Sequence, residues 1–367
     1  MKKIIILISI LGVCLFITCK KSGDDQNSLG ATASSPNLHA SATSFSKKNY
    51  VSPTPTSTVT TTTSPTTTTS PTTTISPSTT TSPTAVTYSP AISLNGVSNR
   101  VLSQLDISGT GANCIDLTNC SNITINNCIL HSSALNGVHL YNCKNIIITN
   151  CLIYDVATGV YAEYSSTVNV NNNQVRNVQG PLPRGQMVQF NNVSGSGNVI
   201  SYNICENVPG KSYPEDVINM YKTSGTASSP VQIIGNWIRG GGPSLSGGGI
   251  MLGDQGGAYM IAQDNILVNP GQYGIAIASG TNIQVLNNKI YSAQQLYSNV
   301  GLYIWNQYNT SCSLNTISGN QVSWKNSAGI ENDSWNAGNC GLVSNWTTNV
   351  FNAPIDANIL PAQIITK

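Results

Sequence analysis

Hydrophobic and polar residues alternate with a period of two along the chain from about residue 91 onward. The segments NITINNCI (122–129) and NIIITNCLI (145–153) both carry apolar side chains at alternate positions. This period is typical of a β-strand, whose successive side chains point to opposite faces. No stretch of any length shows the period of a helix, so the pattern predicts an all-β domain over residues 91–367.

A short motif recurs through the same region, consisting of Asn, any residue, and then an apolar residue or Cys. Successive copies are separated by 23 to 33 residues, and several intervals equal 23. A fixed period of this length is typical of a solenoid whose coils carry occasional insertions. The motif begins at Asn127, Asn150, Asn173, Asn203, Asn236, Asn265, Asn288 and Asn320.

Short strands between Asn- and Gly-rich turns, repeating with this period, resemble the right-handed parallel β-helix of the pectate-lyase-like superfamily. The resemblance covers roughly residues 91–350. It implies a solenoid of about nine to ten coils, in which stacking buries a continuous column of Ile, Val and Leu.

A second repeated strand aligns without gaps at nine places. Its second and fourth positions are mostly apolar and are predicted to point inward, so the third and fifth point outward. We call the outward surface of these strands face A. The copies are CIDLT (114–118), GVHLY (137–141), GVYAE (159–163), MVQFN (187–191), VINMY (217–221), GIMLG (249–253), GIAIA (274–278), GLYIW (301–305) and GIEND (329–333).

Aromatic rings and amides are interleaved along the predicted face A. Such surfaces stack on sugar rings and hydrogen-bond their hydroxyls, so we expect a polysaccharide partner. Loops at 180–186, 210–216 and 240–249 are expected to wall one side of the face. The alternative is an exposed sheet with no ligand. The candidate substrate-binding residues are His139, Tyr161, Arg184, Gln189, Asn191, Asn219, Asp254, Tyr303 and Trp305.

Charge is concentrated in the stretch KSYPEDVINMYK (211–222), although only 8% of the chain is charged. The alignment predicts Arg184 beside Glu215 and Asp254 beside Lys222, at opposite ends of one strand and about 20 Å apart. Glycoside hydrolysis needs two carboxyl groups about 5–10 Å apart. This register therefore predicts that Asp216 and Asp254 are too far apart for it. Exposed lateral ion pairs are the alternative interpretation of these charges.

β-Elimination on a polyuronate needs a base, an acid and a group that neutralises the sugar carboxylate. We expect Tyr221 and Lys222 to be catalytic, and His139 with Tyr161 is a second candidate pair. The resemblance is strongest to the polysaccharide lyases of the superfamily, which favours a lyase acting on an acidic polymer such as alginate or pectin. A non-catalytic glycan-binding or adhesive solenoid is the alternative, and a glycoside hydrolase is the third hypothesis.

Cysteines follow the same repeat, with Cys120 and Cys143 spaced by 23 residues, as are Cys128 and Cys151. We interpret them as buried side chains of the core, while disulfides or a metal site are the alternative. The disulfide expected is Cys312–Cys340. A calcium ion on Glu215 and Asp216 is an open alternative, because two adjacent acids are a small part of a six- to eight-oxygen site.

Net charge argues against nucleic acid as a partner. The whole chain carries 16 basic and 14 acidic residues, and from residue 91 onward 10 basic residues face 12 acidic ones. A body without a basic field has no means of holding phosphates.

The first quarter of the chain reads as an export and tethering region. Residues 1–18 have two lysines before an apolar run, as in a signal peptide, and Cys19 follows in a context that resembles the lipobox of bacterial lipoproteins. The resemblance implies a lipid on Cys19, with the Thr/Ser/Pro-rich residues 19–90 as a disordered linker. We therefore expect an exported monomer, anchored only by its lipid at the outer membrane or cell surface.

Overall fold

A computed structural model describes residues 86–181 and 184–365 of the chain. The predicted signal peptide, the lipidation of Cys19 and nearly all of the predicted linker lie outside the described residues and stay predictions. The first strand, Thr87–Ser89, begins before the predicted domain start at residue 91. Within the described residues, no helix is long and apolar enough to cross a membrane.

The described strands pair in parallel with their equivalents on neighbouring coils, which confirms the predicted all-β parallel β-helix. The pairings form three faces, with strands numbered β1 to β28 in chain order. Face A comprises β2 (Ile92–Asn95), β5 (Ile115–Thr118), the second halves of β7 (Ile129–Tyr141) and β9 (Leu152–Glu163), β12 (Val188–Asn191), the first halves of β15 (Ile218–Ser224) and β18 (Ile250–Gln263), β20 (Tyr273–Ile277), β23 (Val300–Ile304) and β27 (Ser334–Asn336).

The other two faces complete each coil. Face B comprises β3 (Ser98–Ser103), β6 (Ser121–Asn126), β8 (Lys144–Thr149), β10 (Ser166–Asn171), β13 (Val199–Ser201), β16 (Val231–Ile234), the second halves of β15 and β18, β21 (Gly280–Leu286), β24 (Cys312–Ser313) and β25 (Thr316–Ser318). Face C comprises β1 (Thr87–Ser89), β4 (Leu105–Thr110), the first halves of β7 and β9, β11 (Gln174–Arg176), β14 (Ile204–Glu206), β17 (Trp237–Arg239), β19 (Ile266–Val268), β22 (Lys289–Ser292), β26 (Gln321–Trp324) and β28 (Val350–Phe351).

An asparagine ladder runs inside the solenoid parallel to its apolar column. Each amide nitrogen donates to the side-chain oxygen of the next asparagine over 2.7–3.0 Å. The members are Asn173, Asn203, Asn236, Asn265, Asn288, Asn320 and Asn349. In the first two motif copies, the motif asparagine lies one residue before the position that the ladder asparagines occupy in the later coils. Asn127 and Asn150 occupy left-handed turns (φ 53° and 55°), and Cys151 takes the ladder position next to Asn173.

The cysteines behave as the pattern predicted. Cys120, Cys128, Cys143 and Cys151 are buried free thiols in the main core. Cys312 and Cys340 form a disulfide across 28 residues near the C-terminal end.

The predicted register of face A is confirmed along its third positions from Asp116 to Tyr303. It is wrong at two places. Tyr221 pairs with Asp254 instead of Gly253, because β18 bulges at this point. Gly253 permits the bulge, since it has φ 65° and a Cβ there would lie 1.9 Å from the carbonyl oxygen of Ser279.

The second error lies in the last coil. Residues 325–333 form a loop, closed by a bridge between Lys325 and Glu331, so the GIEND segment does not pair with β23 in the predicted register. Its last two residues, Asn332 and Asp333, accept backbone hydrogen bonds from Gly301 and Leu302. Trp335 of β27 pairs with Tyr303 in its place. Asp333 instead caps backbone nitrogens of Trp324 and Asn352 at 2.7 and 2.6 Å.

The C-terminal segment after the 3-10 helix Trp346–Thr348 returns across face C. It includes a second 3-10 helix, Ala357–Ile359, and buries Leu360, Ile364 and Ile365 against residues of that face. Arg239 donates to the carbonyl oxygens of residues 357 and 360 at 2.7 Å each. The segment therefore packs on the face C side, and face A carries the candidate site.

Candidate functional site

Two buried aspartates on face A share one side-chain donor. The amide nitrogen of Asn219 lies 2.5 Å from Oδ2 of Asp216 and 2.9 Å from Oδ2 of Asp254. These two carboxylate oxygens can therefore be no more than about 5.4 Å apart, the sum of the two distances. Asp216, Asn219 and Asp254 are 3%, 0% and 1% exposed. We call these three residues the acidic pair and its bridge.

This proximity corrects the expectation that the two aspartates stand about a strand length apart. Asp216 immediately precedes β15, and Asn219 points outward from that strand as predicted. The bulge in β18 brings Asp254 level with Tyr221, so its side chain turns back toward Asn219 instead of lying beside Lys222. A sequence alignment without gaps has no means of showing such a bulge.

Asp216 is held as a hydrogen-bond acceptor on both oxygens. Its Oδ1 accepts from the hydroxyl of Tyr273 and from the backbone nitrogen of Gly248 at 3.3 Å, and its Oδ2 accepts from Asn219. Two of these donors are N–H groups, which cannot accept. These three hydrogen bonds fix the orientation of the Asp216 carboxylate.

Three tyrosines surround the acidic pair and stay protonated. Burial, and then the charge of Asp216, raises the pKa of Tyr273 well above its ordinary value. Burial and the same charge also raise the pKa of Tyr303. For Tyr308 the causes are burial and then the charge and hydrogen bond of Asp254. At neutral pH these phenols are uncharged: Tyr273 donates to Asp216, whereas the Tyr303 hydroxyl accepts from the Gln307 amide at 3.0 Å.

Glu215 turns away from the acidic pair toward the 240–249 loop. Its carboxylate accepts from the hydroxyls of Ser244 and Ser246, the latter at 2.7 Å. The loop is thereby tied to the edge of face A, where a wall was expected. Glu215 and Asp216, the calcium candidates, thus bind separate sets of protein donors. Across residues 86–181 and 184–365 no group of three or more His, Cys, Asp or Glu side chains is arranged to hold a metal.

A second polar cluster extends from the same face toward the N-terminal coils. His139 lies between two carboxylates, with Nδ1 2.8 Å from Asp116 and Nε2 3.2 Å from Glu163. Tyr161 donates to Glu163 at 2.7 Å, and Asn191 donates to Tyr161 at 2.8 Å. We call these five residues the histidine cluster. Its members come from four successive coils in the predicted register.

The pKa shifts in the histidine cluster follow from these contacts. Burial alone would lower the pKa of His139, but the hydrogen bonds with Glu163 and Asp116 outweigh it and raise that pKa. Burial would raise the pKa of Glu163, but His139 and Tyr161 lower it overall. Burial and Glu163 raise the pKa of Tyr161. The cluster therefore favours an imidazolium beside carboxylate.

Arg184 and Gln189 connect the two clusters. The Arg184 guanidinium donates to Gln189 at 3.2 Å and lies 3.7 Å from the centre of the Tyr161 ring, where it makes a cation–π contact. The backbone nitrogen of Glu215, its expected neighbour, donates to the carbonyl of Gly185, the residue that follows Arg184. Gln189 pairs with Asn219 on the next coil.

The predicted catalytic pair, Tyr221 and Lys222, lies at the rim of this arrangement. Tyr221 is half-buried between Asn191 and Asp254 of the adjacent coils. Lys222 occupies an exposed left-handed position (φ 47°), with its Nζ 5.4 Å from the Tyr221 ring centre. The strand continues to Ser224, so it does not end at Lys222 as a reach into the groove would require.

Aromatic residues adjoin the acidic pair on its C-terminal side. Tyr303 packs edge-on against Tyr273, and Trp305 lies 5.4 Å from Trp335 between ring centres. Tyr303 and Trp305 were predicted on face A. Trp335 was missed because the 325–333 loop displaced the alignment, although an exposed tryptophan close to the predicted face was the available signal.

Carboxylates outnumber cations around the two clusters. The cations placed there are Arg184 and Lys222, and His139 is bound between two of the acids. The acids are Asp116, Glu163, Glu215, Asp216 and Asp254. The surface around the two clusters therefore carries more acidic than basic side chains.

Comparison with known proteins supports the architecture. Residues 90–224 match the family model described as the right handed beta helix region, which agrees with the predicted handedness. The catalytic domain of a GH87 alpha-1,3-glucanase in complex with tetrasaccharides is 13% identical, with a TM-score of 0.43 over 72% of this chain and 64% of that one. A DFA-IIIase of Arthrobacter chlorophenolicus A6 in complex with DFA-III is 12% identical, with a TM-score of 0.40 over 71% of this chain and 60% of that one.

The chain thus spans less than two thirds of the length of these solved structures. No curated protein matches it.

Proposed function

We propose that this protein hydrolyses glycosidic bonds of a neutral polysaccharide, with Asp216 and Asp254 as the two catalytic carboxyl groups. The observation that carries the proposal is the single Asn219 nitrogen bound to both side chains. Glycoside hydrolysis commonly uses two carboxyl groups that flank the scissile bond. The two bridged oxygens are at most about 5.4 Å apart, which excludes the separation of about 6.5–9.5 Å typical of inverting enzymes and favours the retaining class.

The hydrogen bonds suggest a role for each aspartate. Asp216, whose two oxygens accept three hydrogen bonds that fix its orientation, is the nucleophile that attacks the anomeric carbon. Asp254 is the acid that gives its proton to the departing glycosidic oxygen. Water, deprotonated by Asp254, then cleaves the glycosyl ester and returns both carboxyl groups to their starting states. One water is consumed for each bond cleaved.

The charge of the surface supports a neutral substrate. Five carboxylates lie in or beside the two clusters, and a polyuronate chain would bring more negative charge against them. Like charges at such distances repel, and the low dielectric of buried groups strengthens the repulsion. Neutral sugars avoid this cost.

A lyase that uses the histidine cluster is the second candidate. His139 stacks on Tyr161 with 5.6 Å between ring centres, and the Arg184 guanidinium lies 3.7 Å from the centre of the same tyrosine ring. A base, an acid and a cation beside amides are the parts that β-elimination requires. Catalysis by Tyr221 and Lys222 stays a prediction within this second candidate.

Product chemistry tests the proposal. The purified protein is incubated with neutral polysaccharides (starch, cellulose, xylan, β-1,3-glucan and α-1,3-glucan) and with alginate and polygalacturonate. We expect new reducing ends from at least one neutral polymer, in the anomeric configuration of the substrate. Unsaturated uronate products from the acidic polymers would favour the lyase, and binding without any product would favour a glycan-binding solenoid.

A further inference from the structure

Three aromatic side chains lie next to the acidic pair, with Trp335 exposed and Trp305 and Tyr308 partly buried. Trp305 and Trp335 are tilted at 52° to each other with 5.4 Å between ring centres, and Tyr308 follows Trp305 in the same loop. We call these three residues the aromatic platform. Trp335 is 40% exposed, whereas Trp324 in the core is 1% exposed. The platform is therefore apolar surface left open beside a polar groove.

The platform is continuous with the acidic pair but displaced from it along the solenoid. Burial and then the charge of the neighbouring Asp254 raise the pKa of Tyr308, so the platform adjoins the acidic pair at this residue. Trp335 lies three coils beyond Met251 on face A, through Ala276 and Tyr303. At about 4.8 Å per coil this is on the order of 15 Å. A ligand that touches both Asp216 and Trp335 must extend over several coils.

Local packing holds the platform in place. Tyr303, which is 8% exposed, supports Trp335 at 6.2 Å between ring centres. The loop that carries Trp305 is fixed by the Asn306 amide, which donates to the carbonyl of Thr310 at 2.8 Å. Such a surface loses little conformational entropy when a ligand binds.

We propose that the aromatic platform is a sugar-binding subsite that holds a distal ring of the polysaccharide by stacking on Trp335 and Trp305. Sugar rings present flat apolar faces between polar edges, and indole rings offer the largest apolar surface for them. The proposal rests on the proposed function in one respect, since the bound ring belongs to the chain cleaved at the acidic pair. The displacement along the coils makes the ligand an oligosaccharide, because one or two sugars do not reach from the carboxylates to Trp335.

Binding in an inactive variant tests the platform separately from catalysis. Full-length Asp216→Asn protein is titrated calorimetrically with malto-, cello-, xylo- and laminari-hexaose, and with the matching disaccharides. Trp335→Ala is then added to this background, with Trp335→Phe as the variant that keeps an aromatic ring. Tyr88→Ala removes a 73% exposed tyrosine from the most N-terminal coil and serves as the control.

We expect Trp335→Ala to weaken hexasaccharide binding on the order of 10-fold, because a lost stack of this kind forfeits about one kcal/mol or more. Trp335→Phe restores most of the affinity, and Tyr88→Ala changes none. Disaccharide binding stays the same in all variants. Three outcomes would overturn the proposal. They are an unchanged hexasaccharide affinity in Trp335→Ala, a loss of affinity in Trp335→Phe as large as that in Trp335→Ala, and the absence of binding by any of the sugars.

The two proposals can fail independently. Hexasaccharide binding that depends on Trp335, in a wild-type protein that releases no reducing ends, would retain the platform and refute the hydrolase. Hydrolysis at the same rate with and without the Trp335 side chain, together with unchanged hexasaccharide binding, would retain the hydrolase and refute the platform.

Discussion

Asn219 is the residue on which the acidic pair depends. Its amide carries two hydrogens, and each is directed to a different buried carboxylate. A buried charge without a hydrogen bond costs free energy that a small domain can hardly offset. Asn219 therefore acts as a positioning residue that allows two carboxyl groups to coexist at a distance useful for catalysis.

Replacing Asn219 with Ala should lower the free energy of unfolding by about 2–5 kcal/mol, because two buried acceptors lose their shared donor. Denaturant unfolding followed by circular dichroism measures the change. Asn169→Ala, an outward asparagine of face B, is the matched control and should change little. Wild-type stability in Asn219→Ala would show that the aspartates do not need the bridge.

His139 makes the stability of face A depend on pH. Its pKa is raised from 6.5, so its contribution is complete below that value and is lost as the pH rises through the raised one. The pKa of Glu163 is lowered from 4.5, so its contribution is present above 4.5 and is lost as the pH falls through the lowered value. Both contributions are complete between pH 4.5 and 6.5.

Thermal unfolding of wild type and His139→Asn across this range checks the sign. The difference in Tm should be largest between the two ordinary pKa values and should shrink toward alkaline pH. Asn169→Ala is scanned in parallel and corrects for general effects of pH. A difference that grows as the pH rises above neutrality would contradict the assigned contacts of His139.

At the scale of elements, the asparagine ladder fixes the height of each coil. Asn265 is fully buried, donates to the carbonyl of Ile233 and to Asn288, and accepts from the backbone and side chain of Asn236. Hydrogen bonds of this kind satisfy turns that would otherwise bury unpaired backbone groups. The ladder therefore contributes to stability wherever a coil bends.

Asn265→Ala should destabilise the solenoid by about 2–5 kcal/mol, since several buried groups lose a partner at once. Asn287→Gly is the control, because Asn287 is exposed at φ 55° and Gly adopts this conformation without strain. Urea unfolding of both variants provides the measurement. Equal midpoints for the two variants would refute the role given to the ladder.

The Cys312–Cys340 disulfide closes a segment of 28 residues in the C-terminal coils. A loop of this size is expected to stabilise the folded chain by about 3–4 kcal/mol through the unfolded state. The double variant Cys312→Ala, Cys340→Ala should show that loss in denaturant unfolding. Replacing the free thiols Cys128 and Cys151 with Ala would not serve as a control for the disulfide variant, because those side chains fill the core. Unchanged stability of the double variant would mean that the C-terminal coils are held by packing alone.

Strand existence and most of the register were predictable from the sequence, because alternation and period state directly which side chains face inward. Asp116 to Tyr303 follow one another as the alignment predicted. The alignment failed where a residue was added without changing the pattern. The bulge at Gly253 and the loop before Trp335 both keep a β-like alternation in the sequence, so only three-dimensional pairing distinguishes them.

At the scale of the whole molecule, the site predicted from the sequence and the site proposed from the structure both lie on face A, but they differ in chemistry. The expected separation of Asp216 and Asp254 disfavoured hydrolysis, and the one-residue bulge reverses that geometric argument. The near-zero net charge could be read from the sequence. The concentration of carboxylates around His139 and Asn219 could not be read from it, because these residues are distant in the chain and meet only where coils stack.

The central claim is that Asp216 and Asp254 together cleave a neutral polysaccharide. The most direct measurement is the rate of reducing-end release by wild type, Asp216→Asn, Asp254→Asn and the control Asp264→Asn, a conservative change at an exposed turn residue with φ 53°. The account predicts losses of about 10²–10⁴-fold for each of the first two variants and none for the control. Wild-type rates in Asp216→Asn or Asp254→Asn, with the folded state intact, would contradict it.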